Sequence, residues 1–127
     1  FIVFDDVYIN KEEDIAISAK FRNNGQVCIS PNRFYIQENR KDEFVGAFMD
    51  RAKKLKIGNG MDDGIELGPL STAKRLEEIE KLVETTKQEG AKVLMGGKRP
   101  SGFNKGYYYE PTVFDLSRIG FGVLGAF

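Results

Sequence analysis

The stretch Phe21-Arg22-Asn23-Asn24-Gly25-Gln26-Val27-Cys28-Ile29-Ser30-Pro31-Asn32-Arg33 holds the single cysteine of a 127-residue chain. A glycine stands three residues ahead of the thiol and a proline three residues after it. Asn24-Gly25 reads as a helix stop, because Asn and Gly tolerate the left-handed conformation that ends helices. Arg33-Phe34-Tyr35-Ile36-Gln37 reads as a strand. The thiol therefore falls in a loop between a helix and a strand. A lone cysteine is more often an inert small hydrophobe, and reactivity depends on the thiolate and its surroundings. Here the surroundings are what distinguish it.

Working outward, Phe1 to Phe4 reads as a short strand ending at Asp5-Asp6. Asn10 and Glu13 have capping-box spacing, with Asn in the place of Ser or Thr, and predict a helix over about Lys11 to Asn23. Its apolar residues Ile15, Ala16, Ile17, Ala19 and Phe21 cover more than one face, so it is expected to be largely buried. Phe44, Val45, Phe48, Met49, Ala52 and Leu55 repeat at helical spacing and predict a second helix from Lys41 to Lys56. Gly58 to Gly64 is turn-rich. A third helix from Thr72 to Glu89 carries the stripe Leu76, Ile79, Leu82 and Val83 and stops at Gly90. Strands are expected at Ala91–Met95 and Tyr107–Phe114, with a loop between them. Alternating helices and strands imply an α/β fold, an open, twisted, mostly parallel sheet with flanking helices. The glycine-rich tail, residues 117–127, is atypical. It reads as an edge strand, a frayed end, or the start of something longer.

Composition excludes several functions. Lys+Arg and Asp+Glu balance at 19 each, so no basic stripe points to nucleic acid or to an anionic membrane. No apolar run approaches the ~20 residues of a membrane helix. With one cysteine and no histidine, neither a disulfide framework nor a metal site is expected. Cys-His and Ser-His-Asp catalysis lack their base. A reducing, cytoplasmic compartment is the simplest expectation.

Several blocks, taken in order, resemble the aldehyde dehydrogenase superfamily. Phe1-Ile2-Val3-Phe4-Asp5-Asp6 is similar to the strand after that family's Glu-Leu-Gly-Gly motif. Gly25-Gln26-Val27-Cys28 resembles its thiol-bearing block. Leu67-Gly68-Pro69-Leu70, Gly90-Ala91-Lys92-Val93-Leu94-Met95-Gly96-Gly97 and Glu110-Pro111-Thr112-Val113 resemble three further landmarks of its catalytic domain. The resemblance implies that Cys28 is a nucleophile that adds to an aldehyde. Hydride then passes to NAD or NADP, and a glutamate-activated water hydrolyses the thioester. It also implies that the backbone N–H of Cys28 is half of an oxyanion hole.

Lys20-Phe21-Arg22-Asn23 is most similar to succinate-semialdehyde dehydrogenases, in which an arginine six residues ahead of the thiol holds the substrate carboxylate. Arg22 takes that position, with Ile29 as a further substrate contact. A guanidinium fork suits a carboxylate, although Arg22 also reads as a helix-end charge. Ser30 stands where many of those enzymes carry a second, redox-active cysteine. Arg75 falls where some relatives contact the cofactor ribose, and it equally reads as a plain surface position.

The family's general-base glutamate, dinucleotide domain and oxyanion-hole asparagine all lie further ahead of the thiol than this sequence extends. Residues 1–127 are thus expected to be part of a catalytic domain truncated at both ends. Such a piece is expected to bind no cofactor tightly, to be inactive alone, and to be capable of forming a homo-oligomer. A non-catalytic interaction module, pairing through an exposed sheet edge with help from the tail, is the alternative.

Overall fold

The computed structural model describes residues 1–116 and 123–126. In chain order come β1 (Ile2–Val3), α1 (Ile9–Phe21), β2 (Arg33–Ile36), α2 (Lys41–Ala52), α3 (Ala73–Gln88), β3 (Lys92–Met95), β4 (Val113–Asp115) and β5 (Val123–Ala126). The strands form one sheet in the order β1-β2-β5-β4-β3. The open α/β sheet with flanking helices is as expected, but the mostly parallel pairing is not. β1 and β2 are parallel, whereas β2–β5, β5–β4 and β4–β3 are antiparallel. The connections explain this. Parallel neighbours need a crossover, and α1 supplies one between β1 and β2. No helix intervenes between β3 and β4. Only residues 116–122 separate β4 from β5, too few for a crossover of about a dozen residues.

Residues 123–126 of the tail do not form an edge. β5 sits between β2 and β4, in the middle of the sheet. The rest of the expected tail, residues 117–122 and 127, lies outside the described residues.

α1 begins at Ile9, ahead of the expected start, so Asn10 is inside the helix and not its cap. Tyr8 is the capping residue, and its carbonyl accepts from the N–H groups of Lys11 (3.0 Å) and Glu12 (3.2 Å). The early start buries Ile9. The helix is buried on one face only, through Ile9, Ala16, Ile17, Lys20 and Phe21, while Ile15 and Ala19 face solvent.

Phe21, Phe34, Phe44 and Phe48 join α1, β2 and α2 into the main core. The Phe48 ring lies 5.3 Å from Phe34, 5.9 Å from Phe44 and 6.0 Å from Phe21. These separations and tilts suit aromatic pairs. α3 starts at the Thr72 cap, whose hydroxyl accepts from the Arg75 N–H at 3.1 Å, a cap of the preferred type. Ile79 and Val83 pack with Ala91 and Phe114 in a second core. Leu82 of the expected stripe stays half out in water.

The expected strand from Tyr107 shrinks to β4, so the run Tyr107-Tyr108-Tyr109 is not in the sheet. Those backbone groups are used elsewhere: Tyr107 O accepts from Leu70 N–H (2.9 Å), and Glu110 N–H donates to Lys98 O (3.0 Å). Pro111 has no N–H to give to a ladder. Thr112, fully buried, donates its hydroxyl to Glu110 O (2.8 Å) and accepts from Gly97 N–H (2.9 Å). Gly96 turns here at φ +69, and a Cβ at this position would run into the carbonyl oxygen of Pro111.

Three substitutions test this packing. Phe48→Ala empties the centre of the aromatic core and is expected to lose about 3–5 kcal/mol in urea denaturation. Gly96→Ala combines a positive φ with backbone overlap and is expected to lose about 1 kcal/mol or more. Leu82→Ala, at a half-exposed position, should stay within about 1 kcal/mol in the same assay.

Candidate active site

Three successive left-handed residues end α1: Asn23 (φ 50), Asn24 (φ 57) and Gly25 (φ 72). This conformation costs most residues about 1–2 kcal/mol, and Asn and Gly are the types that visit it. The run swings the chain off the helix axis, and Gln26 N–H closes on Asn23 O at 3.0 Å. It also aims the Asn24 amide at a distant segment. Asn24 Nδ2 donates to Gly68 O (2.8 Å) and Pro69 O (2.7 Å), and its Oδ1 accepts from Gly68 N–H (3.0 Å). Gln26 Oε1 accepts from Ser71 N–H at 3.1 Å. The chain ahead of the thiol is thereby docked on residues 68–71, which lead into α3.

The thiol sits on a turn. Ser30 N–H donates to Val27 O at 2.9 Å, leaving Cys28 and Ile29 as the two central residues. Cys28 is exposed and unpaired, and Ile29 is 77% exposed. The chain after the turn is held from below. Ser30 Oγ donates to Lys20 O (2.9 Å), a carbonyl in the last turn of α1, and Lys20 Nζ donates to Asn32 Oδ1 (3.1 Å). Lys20 is only 2% exposed. Burial, with the Arg75 charge adding to it, pulls its pKa down to about 8.

The residues singled out from the sequence divide into two places. Arg22 and Ile29 line one open groove of about 510 Å³ beside the thiol turn, with Ile15, Ala19 and Val27. Arg75 is elsewhere, on a cavity of about 70 Å³ that it shares with Lys20, Gln26, Tyr109 and Glu110. Its guanidinium lies 3.5 Å from Glu78. Burial, followed by the nearby Glu80 and Glu110 charges, pushes the Tyr109 hydroxyl up to about 12. Among the described residues no group of three His, Cys, Asp or Glu could hold a metal ion, and no helix is long and apolar enough to cross a membrane.

Lys20, Asn24 and Asn32 were not expected from the sequence. A signal did exist for the first. Lys20 lies four residues after Ala16 and three after Ile17, which puts it on the apolar face of its own helix.

The Lys20 titration predicts a pH profile. In the unfolded chain the amine stays protonated to near 10.5, whereas in the folded chain it loses its proton near 8. Between these values the unfolded state binds more protons, so stability rises with pH. The urea midpoint is expected to climb between about pH 8 and pH 10 relative to Lys20→Met, which lacks the titrating group.

Residues 1–118 match the model of the "Aldehyde dehydrogenase family". A "Probable succinate-semialdehyde dehydrogenase" (NADP(+)) of Sinorhizobium fredii is 44% identical over 93% of this chain and 24% of its own length. A glutarate-semialdehyde dehydrogenase of Pseudomonas putida is 42% identical over 89% of this chain and 23% of its own. The solved structure of 3,6-anhydro-L-galactose dehydrogenase in complex with NAP superposes with a TM-score of 0.87 at 39% identity, covering 90% of this chain and 24% of that one. The chain thus spans about a quarter of the length of the relatives it matches. On the family match and these likenesses together, the chain belongs to the aldehyde dehydrogenase family.

Proposed function

We propose that Cys28 is the nucleophile of a protein that oxidises an ω-carboxylated aldehyde, a semialdehyde, to the corresponding diacid. The carrying observation is that the exposed thiol sits on a turn anchored on both sides, beside a groove holding Arg22 and Ile29. Sγ of the thiolate adds to the aldehyde carbon, and the carbonyl π pair moves onto oxygen. The Cys28 N–H donates to that oxyanion, and a preplaced donor of this kind is worth about 2.7–4 kcal/mol. Arg22 takes the far carboxylate, and Ile29 contacts the alkyl segment between. The relatives' names carry succinate and glutarate semialdehydes, whose chains differ by a methylene. Arg22 reads the feature the two share.

A nicotinamide nucleotide, bound, would supply the hydride acceptor. The cavity at Arg75, about 70 Å³, is far below the ~300–1,000 Å³ of pockets that enclose drug-sized ligands. Arg75 therefore offers one contact at a cofactor's rim and not a cofactor site. The reading predicts no turnover where a hydride acceptor is not held.

A second reading has its own observation. β1 is an edge strand, and Ile2 (61%), Phe4 (59%) and Tyr8 (79%) on or beside it are exposed. Edges of this kind recruit other strands, which supports self-association through β1. Residues 123–126 contribute no edge to it, since β5 is internal. Concentration-dependent light scattering that Ile2→Lys abolishes would favour this reading.

The nucleophile reading is tested by protection. Succinic semialdehyde is expected to slow alkylation of Cys28 by iodoacetamide, and butanal to do so about two- to fivefold less. That difference corresponds to an exposed charge pair worth up to about 1 kcal/mol. Arg22→Ala should erase it. Equal protection by both aldehydes, or protection that survives in Arg22→Ala, defeats the assignment of Arg22. No protection by either defeats that of Cys28.

A further inference from the structure

We infer that Lys20 is a positioning residue for Cys28, clamping the chain after the thiol turn onto the end of α1. This rests on the reading of Cys28 as the nucleophile.

Two hydrogen bonds and one close approach carry the argument. The Lys20 carbonyl accepts from Ser30 Oγ at 2.9 Å, two residues past the thiol. The Lys20 ammonium donates to Asn32 Oδ1 at 3.1 Å, four residues past it. On the near side, Gly25 approaches so closely that a Cβ added there would stand 3.2 Å from Lys20 O and 3.6 Å from Lys20 Cε. The lysine therefore lies under both arms of the turn that carries Cys28. The opposite arm is tied separately, through Asn24 to Gly68 and Gln26 to Ser71. Lys20 completes a two-sided mount.

Filling space does not explain a lysine here. A buried ammonium is costly, and methionine would fill the same volume without that cost. What lysine supplies is a donor that crosses to Asn32, strengthened by charge. Among the described residues, Arg75 from α3 and Tyr109 and Glu110 from the segment ahead of β4 line the same cavity as Lys20, with Asn24, Gln26 and Asn32 as neutral neighbours. Burial first, and the like charge of Arg75 second, make the amine shed its proton more readily than in water. Protonated, it holds Asn32 by a charge-assisted bond; neutral, it holds it less well.

The single cysteine makes the test specific. A methanethiosulfonate nitroxide on Cys28 of the chain reports turn mobility by electron paramagnetic resonance, whether or not the thiol attacks aldehydes. A failed clamp and a failed nucleophile are thereby told apart. The wild-type label is expected to be restrained at about pH 6.5 and to loosen with a midpoint near 8. Lys20→Met should be loose throughout, with no step near that pH. Asn32→Ala, which leaves the lysine in place, should be equally loose, and the double variant no looser than either. A restrained label in a folded Lys20→Met chain overturns the inference. So does a step near pH 8 that persists in that variant, or a restrained label in Asn32→Ala should Lys20→Met not fold.

Discussion

The bridge from the Asn24 amide to Gly68 and Pro69 ties the end of α1, and with it the thiol loop, to the segment that leads into α3. It joins residues 44 and 45 positions apart, and it exists because three residues in a row accept positive φ. A different backbone at Asn23–Gly25 would carry α1 onward and point the amide into solvent. The bridge sets residues 67–71 against the end of α1, and Thr72, next in line, caps α3. α3 in turn covers the sheet at Ala91 and Phe114. One side-chain amide thereby relates the thiol loop, the start of α3 and the second core. An amide is suited to this because it donates and accepts at once.

Local patterns were legible in the sequence wherever the deciding partners were near in the chain. The Phe44/Phe48 stripe and the stop at Asn24-Gly25 depend on periodicity or on one residue's φ preference. Sheet order was not legible. The edge reading of the tail failed because β5 finds partners in β2 and β4, a matter of tertiary pairing that no local pattern encodes. The strand expected from Tyr107 failed similarly: aromatic residues favour strands, but Leu70 and Lys98 claim its backbone groups. The capping-box reading lost to the burial of Ile9, which a start at Lys11 would have left out of the helix.

At the site, the loop around Cys28 was legible as a helix stop followed by a strand, and Arg22 and Ile29 lie within or beside it in the chain. The resemblance to a family added their roles, and the family itself is shown. Arg75, read from the sequence as a cofactor contact or a plain surface position, lies on a different cavity from Arg22 and Ile29. Lys20 was passed over because a lysine on a helix is ordinarily read as facing water. Its partner Asn32 comes within reach only after the chain reverses at the turn, so the pair is invisible until the loop is folded.

The groove beside the thiol also bears on how strongly Arg22 can select a substrate. Two unit charges 4 Å apart gain only about 1 kcal/mol in bulk water, and about 4 kcal/mol at the effective dielectric of a partly covered protein surface. Arg22 is exposed, so a carboxylate there is held near the lower limit and is screened further by salt. Its neighbours Ile15, Ala19, Val27 and Ile29 form an apolar rim, of which Ile15 and Ile29 are widely exposed. Any surface that covered this rim would gain from burying it, at about 25 cal/mol per Å². It would at the same time displace the water that weakens the arginine's pull. On the proposed reading of Arg22, covering the apolar rim would therefore strengthen the pull that the cation already exerts on a carboxylate.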